Sequence, residues 1–96
     1  MKFTVGQIAA FIQGTVEGNS ELEINRLSKI EEGEPGSLTF LSNPKYIPHL
    51  YTTKASAVIL NLDFELEKPV ETTLIRVVNS YSAFTKLLHE YYSIKE

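Results

Sequence analysis

The run Phe40-Leu41-Ser42-Asn43-Pro44-Lys45-Tyr46 holds the most specific chemical pattern in the chain. Two aromatics flank an amide at F-x-x-N-x-x-Y spacing, across what reads as a strand-to-helix turn. Phe40 and Tyr46 can offer the two walls of a slot for a flat ring. Asn43 can then both donate and accept along the ring's edge, whereas an ionised carboxylate only accepts. A pyrimidine such as uracil presents that alternating edge, and stacking one base is worth roughly 1–3 kcal/mol. The same residues also have a purely structural reading, and both stay open at this level. In it Phe40 belongs to the core, Asn43 caps the helix through its side-chain oxygen, and Tyr46 packs on the helix face.

Elsewhere the catalytic inventory is thin. His49 lies in a helix-and-proline context with no acidic or nucleophilic neighbour at useful spacing. His89 falls near the C-terminal end of the last helix, where an imidazole suits the helix dipole. Both read as surface histidines, and two isolated histidines do not make a metal site. Glu31, Glu32 and Glu34 lack the ordered oxygen spacing of a calcium loop and read as a solvated loop face. Glycine-rich phosphate loops and a G-x-S-x-G nucleophile turn are absent from the sequence. Spacing alone therefore gives this chain no catalytic residue, no metal and no cofactor.

The elements that must position the slot follow from periodicity. Val5, Ile8, Ala9 and Ile12 stand at i, i+3, i+4 and i+7, which predicts a helix over Thr4–Gln13. Thr4 and Gln7 form a capping box, and Gly14 suits a left-handed helix end. Thr15–Glu17 reads as a short strand, and Leu22 and Ile24 alternate with polar residues as in a second. Glu31–Gly36 is a Pro-Gly loop. Ser37–Leu41 reads as a strand. Asn43-Pro44 then opens a short helix to about Thr52, with Asn as cap, Pro at the first position and Pro48 limiting its length. Ala55–Leu60 is apolar enough for a strand buried on both faces. Asn61–Thr72 is a polar, acidic surface excursion, Thr73–Val78 a further strand. Asn79 caps a final helix to about Tyr92, with Tyr81, Phe84, Leu88 and Tyr91 as its apolar stripe. Strand, short helix, strand implies a parallel pair. The expected fold is a single small α/β domain, a mixed or parallel sheet flanked by helices.

Bulk properties bound the partners. A chain of 96 residues supports one domain and one modest core. At 43% hydrophobic and 22% charged residues it reads as an ordinary globular protein. A formal charge of −3 argues against nucleic acid, whose binders carry basic surfaces. There is no cysteine, hence no disulfide or thiolate site. The opening residues lack the apolar block of a signal peptide. The longest apolar run, Ala57–Leu60, falls far short of the roughly 20 residues of a membrane span. A cytoplasmic location is the expectation.

Four segments in order also carry a resemblance. Thr4–Gly18, Ile24–Ile30 with the acidic Gly-Pro-Gly loop after it, Leu38–Tyr46 (LTFLSNPKY) and Ala55–Leu60 (ASAVIL) resemble the opening of UDP-3-O-acylglucosamine N-acyltransferases of lipid A biosynthesis. Together they cover nearly the whole chain. The resemblance implies an N-terminal domain, residues 1–96, that helps bind the uridine of the UDP-sugar. Phe40 and Tyr46 would bracket uracil and Asn43 would contact its edge. It also implies a left-handed β-helix following this domain, which forms a homotrimer and carries the catalytic histidine; neither His49 nor His89 inherits that role. The full enzyme would move a 3-hydroxyacyl group from acyl carrier protein to the 2-amino group of a UDP-3-O-acyl-glucosamine, and this chain alone would be inactive. The sequence departs from the family at Ser80, where Pro often precedes the Tyr, and little consequence is expected. Two alternatives are an orienting domain with no ligand of its own and the UDP-binding N-terminal domain of a Mur-type ligase.

Overall fold

The computed structural model describes the backbone of residues 2–95 and the side-chain surroundings of residues 2–90. A two-residue strand, β1 (Phe3–Thr4), leads into helix α1 (Val5–Ile12). The Thr4 side chain accepts from the Gln7 backbone N–H and the Gln7 side chain accepts from the Thr4 N–H, completing the expected capping box. Val5, Ile8, Ala9 and Ile12 are the buried residues of the helix, as their spacing predicts. At the helix end, Gln13 adopts the left-handed conformation, at φ 59°, and not Gly14. Gly14 serves a different purpose. A Cβ there would lie 2.5 Å from Ile75 Cγ2 and 3.1 Å from the Arg76 carbonyl. The glycine lets the chain leave α1 in close contact with the sheet.

Five strands form that sheet: β2 (Thr15–Glu17), β4 (Arg26–Leu27), β5 (Ser37–Phe40), β6 (Ala57–Asn61) and β7 (Thr73–Val77). Their order is β2-β7-β6-β5-β4. β4, β5, β6 and β7 are mutually parallel, and β2 pairs antiparallel with β7. The segment around Leu22 and Ile24 contributes only β3 (Glu23–Ile24), which pairs antiparallel with β1. The sheet is thus mixed, and the expected parallel pair is β5–β6, with Leu38 opposite Ala57 and Phe40 opposite Ile59.

Alternation along the strands sorts side chains into two layers. Leu38, Ala57, Ile59, Ile75 and Val77 pack against α1 and α3 (Ser80–Lys95). Val58, Leu60, Leu74 and Leu41 face the other way, onto Leu50 of α2 (Ile47–Leu50) and Phe64, Leu66 and Val70 of the excursion. The connection after β5 is a 3₁₀ turn, Pro44–Tyr46, running into α2, in place of one continuous helix to Thr52; Pro48 sits in the first turn of α2, where it is tolerated. Helix α3 also differs from expectation. Its core face is Ser80, Ala83, Phe84 and Leu87, with Leu88 half-buried, while Tyr81 is 63% exposed. The stripe is rotated because small Ser80 and Ala83 fit closely against the sheet. Tyr91 lies beyond the residues whose side chains are described.

Replacing Gly14 with Ala inserts a methyl group where the sheet already stands. Gly14→Ala is expected to lower stability by about 1–3 kcal/mol, as overpacking does. Urea unfolding followed by circular dichroism measures it.

Candidate functional site

The parallel strands run their carboxyl ends to one edge of the sheet, which is where open α/β sheets bind ligands. At the end of β5 the chain passes from Phe40 through Leu41 and Ser42 into the turn at Asn43. Phe40, Asn43 and Tyr46 all line one open cleft of about 250 Å³ there. The structure therefore brings the three residues of the F-x-x-N-x-x-Y pattern to a common cavity.

Each has a distinct environment. Phe40 is half-buried and belongs to the α1/α3 layer. One face of its ring stacks on Phe84, with centroids 4.4 Å apart and planes at 26°, and Tyr81 meets it edge-on at 6.2 Å. Only part of Phe40 is left to the cleft. Tyr46 is half-buried and packs with the opposite layer, beside His49 at 5.9 Å. The two rings are thus anchored on opposite sides of the sheet and converge past its edge. Asn43 is exposed, and its Oδ1 accepts the Lys45 backbone N–H at 2.9 Å. The cap uses one lone pair of that oxygen. The amide nitrogen, with two hydrogens, has no partner among the described residues, so capping and ligand contact are compatible in one side chain.

A hydrogen-bond cluster holds the chain where it enters the cleft. The fully buried Ser80 hydroxyl donates to the Leu41 carbonyl at 2.8 Å. The Ser80 N–H donates to Asn61 Oδ1 at 2.7 Å, and the Ser82 N–H donates to Asn79 Oδ1 at 3.0 Å. The start of α3 is thereby tied to the ends of β5 and β6. Proline at Ser80 would have neither the N–H nor the hydroxyl, so here the serine has a definite structural role.

The sequence reading missed the rest of the cleft. Lys29, Ile30 and Glu31 arrive from the turn after β4 and form its far wall. Nothing local in the sequence places them opposite Asn43; the parallel β4–β5 pairing does. His49 stands half-buried beside Tyr46, not on the open surface, and His89 is exposed on the body of α3. Among the described residues, no group of three or more His, Asp or Glu is arranged to hold a metal ion. No helix among them is long and apolar enough to cross a membrane. A larger cleft of about 380 Å³ opens between α2 and the excursion, lined by Tyr51, Phe64, Asp63, Glu65 and Glu67 among others. Its three carboxylates repel an anionic nucleotide, which makes the smaller cleft the better candidate.

The two roles of Asn43 separate by substitution. Asn43→Ala removes the cap and is expected to cost about 0.5–2 kcal/mol. Asn43→Asp keeps an accepting oxygen and should hold wild-type stability. Thermal unfolding of both variants measures the difference.

The family model for UDP-3-O-(3-hydroxymyristoyl) glucosamine N-acyltransferase, LpxD, matches residues 21–90. The chain is 61% identical over 95 residues to a UDP-3-O-acylglucosamine N-acyltransferase of Christiangramia forsetii, a match covering 99% of this chain and 28% of that protein. It is 48% identical over 91 residues to the protein of the same name from Bacteroides thetaiotaomicron, covering 95% and 26%. With that from Marinomonas sp. it shares 40% over 89 residues, covering 93% and 25%. The chain spans about a quarter of the length of these curated relatives. With the family model matched over residues 21–90, most of its length, the chain belongs to the UDP-3-O-acylglucosamine N-acyltransferase family.

Proposed function

We propose that this chain is the N-terminal uridine-recognising domain of a UDP-3-O-acylglucosamine N-acyltransferase. Phe40 and Tyr46 bracket the uracil ring, and the Asn43 amide reads its edge. The complete enzyme transfers a 3-hydroxyacyl group from acyl carrier protein to the 2-amino group of the UDP-sugar in lipid A biosynthesis. The transfer chemistry and the trimer belong to the rest of the enzyme, acting in the cytoplasm, and this chain alone binds without catalysing. The observation that supports the reading is the convergence of all three residues on one cleft at the carboxyl end of β5. The size of the cleft agrees with it. Sites that enclose a whole small molecule run to roughly 300–1,000 Å³, so about 250 Å³ suits a base with the remainder of the ligand projecting outward.

One observation favours a purely orienting role. The stacking of Phe40 on Phe84 gives Phe40 a structural duty of its own. An orienting domain of this kind leaves the Asn43 amide nitrogen and the Tyr46 side of the cleft without function. The family match also favours the acyltransferase over a Mur-type ligase.

A single stacked base offsets little of the roughly 4–15 kcal/mol lost on association. Affinity of this chain for uridine is therefore expected in the millimolar range. In a titration followed by amide NMR, uridine should give saturable shifts confined to Leu38–Ile47 and cytidine weaker ones. Tyr46→Ala should abolish them, and Asn43→Asp should weaken them while leaving the fold intact. Absence of saturable shifts with uridine, or equal response in Tyr46→Ala, would overturn the proposal.

A further inference from the structure

With the base assigned to Phe40, Asn43 and Tyr46, the charged part of the nucleotide projects outward past the cleft's remaining wall. That wall is the turn after β4. Ile30 is buried at 6% exposure and anchors it, with the Ile30 carbonyl accepting from the Thr53 hydroxyl at 3.3 Å. The Glu32 N–H closes the turn on the Lys29 carbonyl at 2.9 Å. Because Ile30 points inward, its neighbours Lys29 and Glu31 are both exposed and both line the cleft. Lys29 is the cation of that lining. Among the described residues, the ion pairs engage Lys2, Arg26 and Arg76, and none engages Lys29. Glu34, the nearest acidic residue along the loop after Glu31 and Glu32, is committed to Arg26.

We propose that Lys29 receives the phosphates of a nucleoside diphosphate whose base lies in the cleft, and that Glu31 opposes it, so that the pair sets the charge the cleft accepts. This rests on the uridine reading. It adds to that reading a specificity element carried by a different strand connection from the base slot. An ammonium on a flexible stem acts on phosphate as a point charge, and it requires no rearrangement of the turn. Glu31 works in the opposite direction. It weakens binding of each added negative charge and so limits how strongly a bare diphosphate is held.

Ratios of affinity isolate this effect from base stacking. Uridine and UDP would be titrated separately into the wild-type chain, Lys29→Gln, Glu31→Gln and Lys2→Gln, followed by amide NMR at low salt. Lys2 pairs with Glu23 beside the β1–β3 ribbon and stands outside the cleft lining, so it controls for net charge. Lys29→Gln should reduce the preference for UDP over uridine roughly two- to fivefold, the range an exposed ion pair supplies. Glu31→Gln should raise it, Lys2→Gln should leave it unchanged, and the affinity for uridine itself should be constant throughout. The Lys29 effect should shrink with added salt. An unchanged preference in Lys29→Gln, or an equal loss in Lys2→Gln, overturns the assignment of Lys29 while leaving the base slot standing. Failure of uridine to bind the wild-type chain overturns the uridine reading, and this inference with it.

Discussion

Strand β6 imposes the constraint on which the rest of the domain depends. Ala57, Val58, Ile59 and Leu60 are all fully buried, so the centre of the sheet must be covered on both faces. Burying Val58, Ile59 or Leu60 is worth about 1.5–3 kcal/mol each, and losing either cover would expose one face of the strand. Helices α1 and α3 supply one cover. The short α2 and the folded excursion supply the other. Both covers meet the chain where it leaves β5, Phe40 packing with one and Leu41 with the other. The cleft lies there. Its two aromatic walls come from opposite layers, Phe40 from one and Tyr46 from the other, and the chain crosses between them within the few residues that follow β5.

That arrangement gives the site its rigidity. Phe40 is held by the Phe84 ring behind it, and the end of β5 is held by Ser80 through the Leu41 carbonyl. Asn43 is fixed by its own capping bond. Such preorganisation matters for the proposed binding of one base, because little binding energy would be available to order loose side chains. Arg76 plays a comparable part on the other flank. It donates to the carbonyls of Asn61 and Phe64 and pairs with Glu17, tying the excursion to the antiparallel edge strand.

What was legible in the sequence is what local physics decides. The Thr4–Gln7 capping box, the buried face of α1, the Asn43 cap and the two-sided burial of β6 each depend on residues close in the chain. The F-x-x-N-x-x-Y spacing was legible for the same reason, since a strand-to-helix turn is a local structure. What was missed depends on distant neighbours. Gly14 reads as a helix terminator until Ile75 is placed against it. The α3 stripe reads as Tyr81-Phe84-Leu88 by residue type, but the sheet selects small Ser80 and Ala83 for close approach. Lys29 and Glu31 are unremarkable loop residues until β4 pairs in parallel with β5 and carries them to the cleft.

Whether Phe40 and Tyr46 bracket uracil can be read from the intermolecular nuclear Overhauser spectrum of the chain saturated with uridine. Cross-peaks from uracil H5 and H6 to the ring protons of both Phe40 and Tyr46 are expected. Cross-peaks instead to Tyr51 and Phe64 in the acidic cleft, or to neither pair in a saturated sample, would contradict that bracketing.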